Sequence, residues 1–266
     1  MDTPPKYTNH IRGHALVLGG SGDIGREVVL ALAANGASAL SFTYGGNRAA
    51  ADRLARELQE AGHRNIYYAQ LSIPKTDAEV LALQKFMEEA VNATGEEITV
   101  AVNTIGKSPN QSYWDQKIEG PDGWRDVYET NVFGAFLSAR AIAKRMKGLG
   151  VRGSIVQITS TNGINSQAEF SVHYDASKAA QAHEVRTMAE KLAKEFGIRY
   201  NGVAPGWVRT KMNATVPPEE MAAEEKKIWL GRQAEPSEIA KVIAFVAGSG
   251  GSYIVGQNIM VDGGYR

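Results

Sequence analysis

Short apolar runs rich in β-branched and aromatic residues alternate along this chain with longer segments of helical periodicity. Seven runs are candidate strands: 15–18, 39–44, 66–70, 98–103, 154–159, 200–204 and 258–261. Six segments between them are candidate helices: 24–34, 48–61, 77–93, 123–147, 174–196 and 236–247. Several of the strands are continuously apolar, as strands buried on both faces are. The pattern predicts an α/β fold of one domain, a doubly wound seven-stranded parallel sheet with helices on both faces.

Composition narrows the classes of function. Lysine plus arginine and aspartate plus glutamate each number 29, so no net charge attracts nucleic acid or an anionic membrane. The chain has no cysteine, which excludes disulfides, thiolate zinc sites and cysteine nucleophiles. No apolar run approaches the ~18 residues of a membrane span. We expect a flexible N-terminal tail at 1–13, a single domain at 14–266, a cytoplasmic location, a small-molecule substrate and no metal.

A glycine-rich turn joins the first candidate strand to the first candidate helix. Its sequence is Leu18-Gly19-Gly20-Ser21-Gly22-Asp23-Ile24-Gly25. Glycines let the backbone approach a pyrophosphate, and the helix N-terminus offers it free N–H groups and the positive end of the helix dipole. In this strand–turn–helix context the turn predicts a dinucleotide site. The candidate contacts are Gly19, Ser21, Gly22, Asp23 and Ile24, and a tight turn without a ligand is the alternative.

The end of the second candidate strand bears on the choice between the two nicotinamide dinucleotides. An acidic residue there binds the ribose 2′-hydroxyl of NAD, whereas a nearby arginine accommodates the 2′-phosphate of NADP. The sequence is Thr43-Tyr44-Gly45-Gly46-Asn47-Arg48, with one arginine and no carboxylate. It favours NADP(H) over NAD(H), with Tyr44, Asn47 and Arg48 as candidate contacts. The alternative for Arg48 is an ordinary surface arginine at a helix start.

Tyr174 and Lys178 stand four residues apart on a candidate helix, downstream of Ser160. Positions i and i+4 share one face of a helix, about 5–6 Å apart between Cβ atoms. An ammonium that close to a phenol favours the phenolate and lowers the pKa of the tyrosine from its ordinary value of roughly 10. Such a tyrosine can exchange a proton with a ketone or alcohol oxygen near neutral pH. Spacing alone leaves open a helix-face tyrosine beside a lysine with a buried stem.

The order and spacing of these motifs resemble those of the short-chain dehydrogenases/reductases, from about residue 13 to 264. Further matching pieces are Asn103-Thr104-Ile105-Gly106, Asn131, Ser160, Tyr174-Asp175-Ala176-Ser177-Lys178, Pro205-Gly206 with Thr210, and Val261-Asp262-Gly263-Gly264. The segment 231–257 looks most like the 3-oxoacyl-carrier-protein reductases and related ketoreductases. The resemblance implies the Rossmann-like form of the doubly wound fold.

The resemblance also implies roles for four residues. Tyr174 would be the general acid/base, and Lys178 would hold the nicotinamide ribose hydroxyls while depressing the pKa of that tyrosine. Ser160 would bind and orient the substrate oxygen. Asn131 would anchor a water that links Lys178 to solvent. The remaining implied cofactor contacts, besides Tyr174 and Lys178, are Gln70, Leu71, Asn103, Gly106, Pro205, Gly206, Val208 and Thr210.

Three positions depart from the family pattern. Asp23 replaces the middle glycine of the turn, and because a carboxylate would repel the pyrophosphate, we expect it to point toward solvent or into helix capping. Thr104 stands where the family has a second asparagine. Gln70 replaces the aspartate that meets the adenine amino group, and its amide can still accept a hydrogen bond.

Four aromatic residues occupy the places where the family builds its substrate pocket: Tyr113, Trp114, Trp207 and Trp229. They favour a bulky or aromatic ketone, and the alternative is that they are ordinary core or interface aromatics. The segment 208–230 is long for a loop in a compact domain, which predicts a substrate lid. A solvated surface insertion is its alternative.

Together these motifs predict an NADPH-dependent carbonyl reductase with Tyr174 as general acid. Two alternatives stay open: an NAD-linked secondary-alcohol dehydrogenase working oxidatively, and a non-catalytic nucleotide-sensing regulator. From the family we expect a homotetramer or homodimer that packs through the helices at 123–147 and 174–196.

Overall fold

Seven parallel strands form one sheet in the computed structural model, which describes residues 9–109, 112, 114–165 and 171–265. The strands are β1 (His14–Leu18), β2 (Ala39–Tyr44), β3 (Ile66–Gln70), β4 (Ile98–Asn103), β5 (Ser154–Ile158), β6 (Arg199–Pro205) and β7 (Asn258–Val261). Their order across the sheet is β3-β2-β1-β4-β5-β6-β7. The predicted Rossmann-like fold is therefore confirmed, with strand boundaries within one residue of those predicted.

Helices cover both faces of this sheet. They are α1 (Asp23–Ala34), α2 (Arg48–Glu60), α3 (Asp77–Thr94), α4 (Trp124–Tyr128), α5 (Ala135–Gly148), α6 (Asn162–Asn165), α7 (Val172–Phe196), α8 (Pro218–Glu225) and α9 (Pro236–Ala247). Helices α1, α2 and α9 bury their apolar stripes in one core cluster. Helices α3, α5 and α7 share a second cluster on the opposite face. Two separate cores explain why the strands between them are apolar on both faces.

The predicted helix at 123–147 is interrupted in the structure. After α4 the chain makes a wider, π-helical turn over Glu129–Gly134 before α5 begins. At Gly134 a β-carbon would lie 2.8 Å from Cγ1 of Ile73, so the wide turn comes close to the segment that follows β3. Such turns often occur at functional sites, and this one contains Asn131.

The N-terminal segment differs from the predicted tail in its last part. Residues 1–8 lie outside the described residues, but residues 9–13 are attached to the domain. Ile11 is buried in the core, and its N–H donates to the carbonyl of Asn35 at 2.8 Å. The Asn9 amide donates to Asn35 and to the carbonyl of Ala244 at the end of α9, 3.0 Å each. The tail prediction overlooked these contacts because one apolar residue among polar ones gives no periodic signal.

The segment predicted as a lid contains a 3₁₀ turn, Lys211–Asn213, followed by α8. It leaves the sheet at the carboxyl end of β6. Within the described part of the chain, no helix has the length and apolar character needed to cross a bilayer.

Strand order reverses direction beside β1, because β2 follows β1 on one side and β4 lies on the other. In open α/β sheets, ligands bind beyond the carboxyl ends of the strands at such a switch point. The loops after β1, β4, β5 and β6 meet at this edge.

Candidate active site

A cleft of ≈ 990 Å³ opens at the carboxyl edge of the sheet. Its walls come from the loops that follow β4, β5 and β6 and from the first turns of α7. The predicted site residues that line it are Ile24, Gly106, Ser160, Tyr174, Lys178, Pro205, Gly206, Trp207, Val208 and Thr210. The fold thus brings together three of the four predicted catalytic residues and eight of the predicted cofactor contacts.

Ser160 and Tyr174 line the same cleft, and the Ser160 hydroxyl is close enough to the phenol to influence its pKa. Asp175 fixes the start of α7 beside them, because its Oδ1 accepts from the Asn162 amide at 2.8 Å and from the Ser171 hydroxyl at 2.7 Å. Burial raises the pKa of Tyr174 to about 12, and the nearby Ser160 hydroxyl acts in the opposite direction. The phenol is therefore protonated at neutral pH and can act as a proton donor.

Lys178 reaches the same cleft from one turn further along α7. Its Nζ donates to the carbonyl of Ile158 at 3.1 Å and to Oε1 of Gln181 at 2.8 Å, and it lies 5.8 Å from the centre of the Tyr174 ring. Burial lowers the pKa of Lys178 to about 7. Burial is the largest cause of both shifts, so the expected net depression of the pKa of Tyr174 is wrong for this structure.

Asn131 lies in the π-helical turn and is fully buried. Its Oδ1 accepts from the N–H of Lys107, its Nδ2 donates to the carbonyl of the same residue, both at 2.8 Å, and Nδ2 also donates to Oγ of Ser177 at 3.0 Å. The side chain therefore fastens the loop after β4 to α7. The water expected at Asn131 stays a prediction.

The glycine turn is shaped by close backbone approaches. Gly19 has φ +80°, its N–H donates to Oγ1 of Thr43 at 2.9 Å, and its carbonyl would be overlapped by any β-carbon on Gly25. Gly22 precedes α1 and gives it no side-chain cap, which leaves N–H groups at this helix start for another acceptor. Thr104 donates to the carbonyl of Leu18 at 2.8 Å and so joins the ends of β1 and β4.

Asp23 adopts neither of the two expected arrangements. Its Oδ2 accepts from the N–H of Lys211 at 2.7 Å, in the 3₁₀ turn of the 208–230 segment. The carboxylate thus connects the start of α1 to the opposite side of the cleft. Sequence reasoning could not have found this contact between residues so far apart in the chain.

The far end of the predicted cofactor site lies beyond β2 and β3. Tyr44 is buried in the core, and Asn47 caps α2 by accepting from the N–H of Ala50 at 3.0 Å. The side chain of Arg48 is 76% exposed, with its Nε 3.7 Å from Asp52.

Three more predicted cofactor contacts lie at the same edge of the sheet. Gln70 is exposed at the end of β3, and the N–H of Leu71 donates to the carbonyl of Tyr44 at 3.0 Å. Asn103 is buried, and its Oδ1 accepts from the N–H of Ile105 at 3.0 Å. Asn103 therefore shapes the loop after β4, while Ser21 lies in the glycine turn.

The predicted aromatic wall is only partly formed. Trp207 lines the cleft, and its Nε1 donates to Glu224 of α8 at 3.2 Å. Trp114 and Trp229 are 80% and 73% exposed and are not among the described residues that line the cleft. Trp229 instead packs against the backbone of Gly264. Tyr113 lies outside the described residues. Position after a strand does not determine side-chain direction in a long loop, which is why the two tryptophans were misplaced.

Sequence reasoning missed several residues of the site. Gln181 contacts Lys178, and Ser177 contacts Asn131 and the carbonyl of Tyr174. Both lie on the face of α7 that carries Lys178, so a buried polar stripe along this helix was the available signal. Glu224 and Tyr265, hydrogen-bonded to each other in the cleft wall, had no such signal.

Comparisons with known proteins cover nearly the whole chain. Residues 20–266 match a family model described as enoyl-(acyl carrier protein) reductase. The chain is 34% identical over 258 residues to galactitol 2-dehydrogenase (L-tagatose-forming) of Cereibacter sphaeroides, covering 94% of each. It is 32% identical over 251 residues to cis-4-hydroxycyclohexanecarboxylate dehydrogenase of Sinomonas cyclohexanicum, covering 94% of this chain and 95% of that protein.

A solved structure is also similar to this chain over nearly its whole length. The crystal structure of a short-chain type dehydrogenase/reductase from Mycobacterium marinum matches with a TM-score of 0.85 at 30% identity. The match covers 96% of this chain and 95% of the other. The likeness therefore extends over nearly the whole fold.

Proposed function

This chain belongs to the short-chain dehydrogenase/reductase family, whose members are oxidoreductases that act on alcohol or carbonyl groups. We propose that it is an NADPH-dependent carbonyl reductase. Tyr174 donates the proton to the oxygen of a ketone. The observation that carries this proposal is that Ser160, Tyr174 and Lys178 line one cleft at the carboxyl edge of the sheet.

Ser160 and Tyr174 act on the oxygen that becomes the alcohol, and Lys178 acts on Tyr174. The Ser160 hydroxyl donates a hydrogen bond to the ketone oxygen and orients the carbonyl. Tyr174, protonated at neutral pH because burial raises its pKa to about 12, gives its proton to that oxygen. The ammonium of Lys178 stabilises the phenolate that remains. The hydride for the carbonyl carbon would come from NADPH held in this cleft.

The residues present fit a dinucleotide. The close approach at Gly25 and the positive φ of Gly19 leave backbone exposed at the start of α1, as a pyrophosphate requires. On this proposal the phosphates contact the turn from Gly19 to Ile24, and the ribose beside the nicotinamide is held by Lys178. The cleft-lining residues after β6 close the other side.

Arg48 is proposed to bind the 2′-phosphate that distinguishes NADP(H). We expect Arg48→Ala to weaken NADPH binding about tenfold, which corresponds to about 1.4 kcal/mol, and to leave NADH binding unchanged. Arg48 is exposed and only loosely paired with Asp52, so its guanidinium is available. Fluorescence titration of both cofactors measures the effect, and Arg53→Ala, exposed on the same helix, is the control. A wild-type protein that prefers NADH would contradict the assignment.

A second candidate function is an NAD-linked secondary-alcohol dehydrogenase that works oxidatively. The observation in its favour is that the two curated relatives are named dehydrogenases. The same residues would serve, with Tyr174 accepting the proton instead of donating it. Cofactor preference and the favoured direction of turnover at neutral pH distinguish the two candidate functions.

The test of the proposed function is a screen for NADPH consumption. Purified protein is incubated with NADPH and with acyl-thioester, aromatic, alicyclic and polyol-derived ketones, and the absorbance of the reduced nicotinamide is followed. Tyr174→Phe is the negative control for each substrate. Turnover of at least one ketone by the wild type alone supports the proposal. Turnover only of alcohols with NAD would support the second candidate.

Assembly into a homodimer or homotetramer is part of the same proposal. Phe133 and Phe136, beside and within the start of α5, are large apolar side chains with exposed fractions of 57% and 36%. Covering them in a second copy would remove apolar surface from water. Light scattering at micromolar concentration should give the mass of a dimer or tetramer, and a monomer would contradict the expectation. The cytoplasmic location stays a prediction.

A further inference from the structure

We propose that Gln181 is a positioning residue that holds the ammonium of Lys178 in place for proton transfer, an inference that rests on the proposed function. Gln181 follows Lys178 by three residues on α7, so the two side chains share one face of the helix. The ammonium lies between Oε1 of Gln181 at 2.8 Å and the carbonyl of Ile158 at 3.1 Å. Two of its three donors are therefore directed by the chain itself.

The chemistry of the pair fixes the orientation of the amide. A lysine ammonium has donors only, so the oxygen of Gln181 must face Nζ and the Nε2 group must point away. Gln181 is 0% exposed, and its Nε2 has no hydrogen-bond partner among the described residues. A buried unpaired amide N–H is unfavourable. An aliphatic side chain of similar size would avoid this cost, so the useful part of Gln181 is its oxygen.

The surroundings of Lys178 make that oxygen important. Lys178 is 2% exposed, and burial lowers its pKa to about 7. No carboxylate among the described residues is ion-paired with it. The titratable group that faces Nζ is Tyr174 on its own helix.

Among the residues that the structure describes, the other elements packed against Nζ contribute no titratable group. Gly106 approaches from the loop after β4, and Ile158 offers a backbone carbonyl at the end of β5. Oδ1 of Asn131, in the π-helical turn, is occupied by the N–H of Lys107. The charge of Lys178 therefore depends on two neutral oxygens, of which only that of Gln181 can be removed by substitution.

The experiment compares Gln181→Met, which removes the oxygen at similar volume, with Gln181→Glu, which keeps an oxygen and adds charge. The control is Gln157→Met, because Gln157 is fully buried on β5 and its amide atoms have no partner among the described residues. The pKa of the Lys178 ammonium is measured in cofactor-free protein by NMR of ¹³C-labelled lysine side chains, with Lys178→Arg assigning the signal. In parallel, kcat and KM are measured for a ketone substrate.

We expect Gln181→Met to lower the pKa of Lys178 by about one unit, which corresponds to the loss of one charge-assisted hydrogen bond, and to reduce kcat about tenfold with KM nearly unchanged. Gln181→Glu should raise the pKa of Lys178 and keep most of the wild-type kcat. Gln157→Met should change neither.

Each outcome decides the inference. An unchanged pKa of Lys178 in Gln181→Met, or equal shifts in Gln181→Met and Gln157→Met, would overturn it. If Gln181→Met does not fold, the inference is overturned when the pKa of Lys178 does not rise in Gln181→Glu. The NMR measurement needs no substrate, so a protein that reduces no ketone disproves the proposed function while the pKa of Lys178 still tests Gln181.

Discussion

Tyr174→Phe is expected to lower kcat for ketone reduction about a thousandfold, because it removes the proton donor and leaves the ring in place. General acid catalysis contributes about 10²–10⁴ to a rate. The phenol of Tyr174 is the proposed donor because it lines the same cleft as Ser160, which is proposed to bind the substrate oxygen. NADPH affinity should change less than about threefold, because Lys178 and the glycine turn are untouched.

The measurement combines steady-state kinetics with a fluorescence titration of NADPH. Tyr253→Phe is the control, since Tyr253 is fully exposed and should leave both quantities unchanged. A Tyr174→Phe protein that keeps more than about a tenth of kcat would show that another group, or water, donates the proton.

Gly25→Ala is expected to weaken NADPH binding about a hundredfold and to lower the free energy of unfolding by about 1–3 kcal/mol. A β-carbon at this position would overlap the carbonyl oxygen of Gly19 and lie 2.9 Å from Oγ1 of Thr104. The turn and the start of α1 would have to separate, which displaces the N–H groups proposed to face the pyrophosphate.

Thermal unfolding and NADPH titration measure the two effects. Gly148→Ala is the matched control, because a β-carbon there would meet no atom of the described residues within 4 Å. Wild-type affinity in a folded Gly25→Ala protein would be incompatible with a dinucleotide bound at this turn.

Features with a local physical cause were predictable from the sequence. The strands from β1 to β7 follow from apolar runs, and the glycine turn follows from its position between a strand and a helix. The cleft at the carboxyl edge is a consequence of parallel strand order. The pair of Tyr174 and Lys178 is brought to one face by helical periodicity alone.

Features that depend on contacts between distant segments were not predictable. The π-helical turn near Asn131 depends on Ile73 and Lys107, which approach from other loops. The exposure of Trp114 and Trp229 depends on loop paths that no periodicity describes. The pKa of Tyr174 required weighing burial against a nearby ammonium, and spacing gives only the second of these.

The hydrogen bond from the N–H of Lys211 to Asp23 links the segment 208–230 to the start of α1. If the segment 208–230 swings outward, this bond must break, and the freed carboxylate then stands bare at the first turn of α1. There it becomes an internal anion that competes with phosphate for the helix N-terminus. In the proposed complex with a dinucleotide, an outward movement of this segment would therefore weaken phosphate binding, and its return would restore it.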